Sequence, residues 1–276
     1  MSGILADLAQ HGFLRNALLG GILTSVVCGV VGSLAVVRKM GYVAGGVAHA
    51  SLGGIGAALL FGASSLWGAS AAAVAGALLL GWMTLRGGEN EDTAISALWS
   101  VGMAAGVVCL SRVEGYAVDP STFLFGNILL IPADELLAAG IIDAAALAVA
   151  ILLYHPFKLC AFDEELARIQ GLPVAALHLL LMTLLALVVV ALIQVVGLLM
   201  VIALLTLPAA TARRFSRSLS GMMVRAAAVG SACTAVGLLV AWDRNLPAGA
   251  TIILLAGGVY FGAVLLQRLR PHRGER

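Results

Sequence analysis

The chain has 276 residues, of which 61% are apolar and 11% charged, with a mean hydropathy of +1.05 and a formal net charge of +2. A soluble domain carries about 25% charged residues, so most of this chain faces something other than water. That excludes a disordered chain, a nucleic-acid binder and an ordinary cytosolic enzyme.

The charged residues serve as punctuation between apolar stretches, and about 20 apolar residues cross a bilayer. In chain order, residues 16–37 make one span. Residues 40–85 hold two, with a turn near 62–68. Residues 93–111 make one, and 136–157 another, with Asp143 near its outer end. Residues 169–212 hold two, with a turn near 194–197. Residues 226–242 are a short span that borrows from its polar flank, and 245–267 are the last. The sum is nine, with eight as the alternative. Residues 120–133 are too short to cross and read as a re-entrant or interfacial half-helix. Residues 4–13 read as an amphipathic lead-in along the outer surface. They lack the basic start of a signal peptide.

With the N-terminus outside, nine crossings place 13 Lys and Arg residues in inner segments and 3 in outer ones. This asymmetry puts the C-terminus in the cytoplasm. The expected fold is an all-α polytopic membrane protein of one domain, residues 1–276. Glycine, 33 residues in all, points to closely packed helices. Cys28, Cys109, Cys160 and Cys233 are scattered without a C-x-x-C pair, so neither a disulfide framework nor a zinc finger is indicated.

Absent motifs narrow the chemistry. Lys39 and Lys158 are the two lysines, and neither sits in a P-loop. If nucleotide powers this protein, another chain binds it. Few ionisable groups lie within the spans, His49, Asp143 and His178 chief among them. Buried carboxylates of the kind used in ion-coupled relays are scarce. No H-E-x-x-H occurs, and no serine–histidine–acid cluster suggests intramembrane hydrolysis.

Four segments carry more. In the inner loop 158–173, KLCAFDEELARIQGLP, Asp163 can cap a short helix with Glu164 and Glu165 in its first turn and Arg168 in its last. Gly171 suits the left-handed position after the helix, and Pro173 blocks continuation. Phe162, Leu166 and Ile169 fall on one stripe, which packs either on the protein's own bundle or into a groove of a cytosolic partner. In the second span, Gly45, His49, Gly53 and Gly56 share one helical face. The imidazole there is either held by a neighbouring helix or faces a polar pathway as a metal ligand. Pro208 bends the seventh span as a kink or hinge, with Thr206 and Thr211 available to the freed carbonyls. The acidic segment 86–93 is a solvated loop or an ion exit.

The stretches VAHASLGG, FDEELARIQGLP, VGLLMVIALLTLPAATARRF and LPAGATIILL resemble, in order and spacing, the permease subunit of zinc/manganese/iron uptake ABC transporters. The resemblance covers nearly the whole chain and looks closest to zinc-type members in the C-terminal half. It implies a multi-pass subunit of the bacterial inner membrane with no permanently bound cofactor and a divalent metal ion as substrate. It also implies a second permease copy, cytosolic ATPase subunits and an extracytoplasmic metal-binding protein as partners. Phe162, Asp163, Glu164, Leu166, Arg168 and Gly171 match the ATPase-contacting element. His49, Gly45 and Gly53 would line the substrate pathway, with His49 a transient metal ligand. Many relatives carry an aspartate where this chain has Gly45. A stand-alone channel or secondary carrier is the alternative reading, and an intramembrane enzyme the third.

Overall fold

The computed structural model describes residues 12–86, 90–113 and 133–269. The described residues form eleven α-helices: α1 (Gly12–Val37), α2 (Gly41–Leu60), α3 (Ser65–Arg86), α4 (Glu91–Leu110), α5 (Ala133–Leu152), α6 (Tyr154–Phe162), α7 (Glu164–Ile169), α8 (Val174–Val196), α9 (Leu198–Phe215), α10 (Leu219–Arg244) and α11 (Ala248–Leu269). Eight are long and apolar enough to cross a membrane. The count is nine if the bent pair Leu137–Leu152 and Tyr154–Phe162 is one crossing. This is the expected polytopic all-α fold.

Helix α8 is the axis of the bundle. It packs against α1, α2, α3, α5 and α9, and its middle is buried at Leu184, Leu185, Ala186, Val188, Val189, Val190, Ala191 and Leu192. A helix apolar all round belongs in a protein core or a bilayer, and the burial of its middle places α8 in the core. Around it, α2 lies against α3 and α4, and α10 against α1, α9 and α11.

Four helix ends share one device. After α1, the amides of Lys39 and Met40 bond the carbonyls of Val36 and Ala35 at 3.3 and 2.7 Å. The same paired pattern closes α2 at Gly62 and Ala63, α7 at Gly171 and Leu172, and α10 at Asn245 and Leu246. Lys39, Gly62, Gly171 and Asn245 are each left-handed. These are Schellman-type ends that satisfy carbonyls a helix terminus would leave unpaired.

Several boundaries differ from those read in the sequence. The fifth span does not run straight to residue 157. It breaks at Leu153 and turns by 68°, because Pro156 has no N–H for the carbonyl four residues back and its ring obstructs a straight helix. Asp143 therefore lies halfway along α5 rather than near its outer end, and its Oδ1 has no hydrogen-bond partner among the described residues. The eighth long helix is 26 residues, not a short one. Ser218 caps it, and exposed Arg225 reaches back to the Phe215 carbonyl, so the charge stays near the helix end. The turn near 194–197 narrows to Gly197 alone, at φ 80° and ψ 160°. Residues with a Cβ do not adopt that conformation readily. The amphipathic lead-in at 4–13 lies largely outside the described residues. So does the half-helix at 120–133, apart from Ala133, which begins α5.

Candidate functional site: a histidine on a glycine seam and a capped short helix

The glycine face of α2 seats on α4 of the same chain. A Cβ built on Gly53 would lie 2.8 Å from the Gly102 carbonyl oxygen, and one on Gly56 2.7 Å from that of Gly106. Neither could carry a side chain without separating the helices. His49, one turn before Gly53 on this face, is 7% exposed. Its ring stacks on Trp99 of α4, with centroids 4.0 Å apart and planes 12° from parallel. Gly45 is looser. A Cβ there would meet Trp99 and Ile202 of α9 at 3.8 Å each, which is ordinary contact. The imidazole thus stands where α2 meets α4, with α9 near the Gly45 end of the face. Among the described residues no three His, Cys, Asp or Glu side chains gather as a metal-holding group.

Trp99 was not anticipated, although the sequence holds a signal for it. Trp99, Gly102 and Gly106 fall at i, i+3 and i+7, and the last two form G-x-x-x-G, a motif for close helix approach.

The loop 158–173 folds largely as expected. The Asp163 carboxylate accepts a hydrogen bond from the Leu166 amide at 2.9 Å, the N-cap geometry that satisfies an otherwise free donor. Glu164 and Glu165 occupy the first turn, and Arg168 in the last turn pairs with Glu164 at 2.7 Å. Gly171 has φ +78°. One assignment changes. Phe162 ends α6 and is not part of the capped helix, because Asp163 separates the two at φ −149°. The stripe itself does not pack on the bundle. Phe162, Leu166 and Ile169 are 65%, 39% and 76% exposed, while Ala167 is the buried contact of α7.

Pro208 lies inside α9, which continues through it as one helix. Its ring faces Gly230 of α10, where an added Cβ would stand 3.6 Å from Pro208 Cγ. Thr206 and Thr211 donate to the carbonyls of Ile202 and Leu207. Pro208 frees the carbonyl of Leu204, so neither threonine compensates for the lost bond in the way the sequence led us to expect. At the acidic segment, Asn90 caps α4, and Glu91 and Asp92 fall in its first turn, complementing the helix dipole. Glu89 lies outside the described residues.

A bundle with eight helices long and apolar enough to cross a membrane, or nine with the bent pair, defines a polytopic membrane protein. Residues 10–267 match the ABC 3 transport family, and the chain belongs to it. It is 39% identical over 259 residues to an uncharacterized membrane protein of Synechocystis sp., covering 94% of this chain and 92% of the relative. It is 34% identical to the manganese transport system membrane protein MntC of Halalkalibacterium halodurans, covering 92% of this chain and 87% of that one. Among solved structures it resembles PsaBC from Streptococcus pneumoniae in complex with Fab, with a TM-score of 0.85, 30% identity, and coverage of 95% of this chain and 94% of that one.

Proposed function

We propose that this chain is the membrane-spanning subunit of an ATP-driven importer of divalent metal ions in the bacterial inner membrane. The observation that carries the reading is the buried imidazole of His49 on a glycine seam in a member of this transport family. The names of the Halalkalibacterium relative and of a 33%-identical MntC of Listeria innocua, both manganese transport system membrane proteins, support a metal substrate.

Two copies would enclose the pathway. A divalent ion in a low-dielectric passage needs ligands, since unpaired burial of charge is very costly. One protomer offers one imidazole and, at Gly45, no carboxylate, so His49 from each copy would supply the main protein ligands, with water and carbonyls completing the shell. Two neutral imidazoles bind weakly enough to release the ion. They suit zinc more than manganese, which prefers oxygen ligands. The relatives' names favour manganese, and a direct comparison of the two ions decides between them.

Energy would come from a separate cytosolic ATPase docked on α7 and the end of α6, where Phe162, Leu166 and Ile169 face outward. An extracytoplasmic metal-binding protein would deliver the ion. The test is uptake of zinc and manganese into proteoliposomes carrying the permease with its ATPase. Uptake that requires ATP supports the reading. Equal uptake without ATP would make the chain a channel or secondary carrier.

A further inference from the structure

At the cytoplasmic end of α1, the Arg38 side chain spans three elements that are far apart in sequence. One guanidinium nitrogen donates to the Cys160 carbonyl of α6 at 2.5 Å, and the other contacts His178 Nδ1 of α8 at 3.0 Å. Arginine has only donors, so Nδ1 is the acceptor and His178 is neutral in this contact. Both interactions are part-buried, and His178 itself is 9% exposed.

Each partner fits the role. Cys160 lies in the last turn of α6, whose final carbonyls have no amide ahead of them in the helix. The neighbouring Leu159 carbonyl is satisfied by the Asp163 amide at 2.9 Å, and Arg38 satisfies that of Cys160. Arg38 is itself held at the C-cap by the Schellman-type bonds of Lys39 and Met40. Among the described residues the α6–α7 elbow is otherwise held by apolar burial, at Phe157, Cys160 and Ala167. Apolar contact is non-directional and permits sliding. A planar guanidinium fork is directional and fixes orientation.

We propose that Arg38 is a positioning residue for energy coupling, locking the α6–α7 elbow to α1 and α8 so that motion of the docked ATPase reaches the transmembrane helices. This rests on the reading of α7 as the ATPase contact. Arg38 touches neither the ion nor nucleotide. It acts through the geometry of the elbow.

The test uses the full complex of permease and ATPase in proteoliposomes and reads three quantities: ATPase retention, ATP hydrolysis, and zinc or manganese ions moved per ATP. For Arg38→Ala and His178→Leu, the ATPase should stay bound while ions moved per ATP fall at least about tenfold, the loss expected of a charge-assisted contact. His178→Asn, whose side-chain oxygen can accept in place of Nδ1, should stay close to wild type, and Arg38→Lys should fall between. If Arg38→Ala fails to insert, the two His178 variants carry the test alone. A wild-type ratio in His178→Leu, or an equal loss in His178→Asn, overturns the proposal. Leu166→Asp separates the two readings. ATPase loss in Leu166→Asp with a normal ratio in the Arg38 and His178 variants rejects Arg38 coupling alone. Normal ATPase binding in Leu166→Asp rejects the docking surface instead.

Discussion

The His49 imidazole lies flat against the Trp99 indole, with centroids 4.0 Å apart and planes 12° from parallel. One face of the proposed metal ligand is thereby fixed by a side chain of α4, and Trp99 is itself 39% exposed. An aromatic pair of this kind is worth about 0.5–1.5 kcal/mol beyond its buried area. Trp99→Ala should therefore raise the ion concentration needed for half-maximal uptake by several-fold, roughly the 2- to 10-fold equivalent of that energy. Trp99→Phe should restore most of it. Concentration-dependent uptake at matched reconstitution measures both.

The seam beneath His49 has little tolerance for bulk. Gly53→Ala puts a Cβ 2.8 Å from backbone of α4, so the helices must part. A destabilisation of about 1–3 kcal/mol is expected for such overpacking. Gly140→Ala is the control, because a Cβ there meets nothing within 4 Å. It should be neutral or slightly stabilising, by about 0.5–1 kcal/mol. Thermal unfolding in detergent, followed by tryptophan fluorescence, compares the two.

Gly45 differs from Gly53 because its surroundings admit a side chain at ordinary contact distance. Gly45→Asp should fold, hold the ion more tightly, and shift preference from zinc toward manganese by adding an oxygen ligand. Competition between the two ions during uptake checks this. An unchanged preference would place the ion elsewhere.

At the proposed ATPase contact, Asp163→Ala removes the carboxylate that caps α7, at a cost of about 1 kcal/mol. Asp163→Asn keeps an acceptor and should be mild. Gly171→Ala forces a Cβ into φ +78°, which costs about 1–2 kcal/mol. Both destabilising changes should weaken ATPase co-purification without preventing membrane insertion.

Much of this architecture was legible because charge is so costly in a membrane that it marks the span ends. The stretches between charges predict most of the long helices to within a few residues, the start of α10 and the end of α5 being the exceptions, and the contact between Arg38 and the Cys160 carbonyl puts the end of α1 and the α6–α7 loop on one side, as the charge asymmetry requires. Arg214 likewise reaches Gln267 at 2.7 Å, joining the ends of α9 and α11. The cap at Asp163 and the stop at Gly171 were readable because those signals are local. What failed was non-local or crossed a break. A stripe drawn through Phe162 ignored that the capping residue ends one helix before starting the next. The seating of His49 on Trp99, and of Arg38 on His178 140 residues away, depends on which helices become neighbours, and periodicity along a single element carries no record of that.

The central claim is that the ion passes His49. Its most direct test is ATP-dependent uptake of zinc and manganese at limiting concentration by proteoliposomes carrying wild type or His49→Ala, each with its ATPase and at equal permease content. The account predicts that His49→Ala assembles normally and loses nearly all uptake of the transported ion. Uptake equal to wild type would contradict it and leave His49 as a packing residue on the α2–α4 seam.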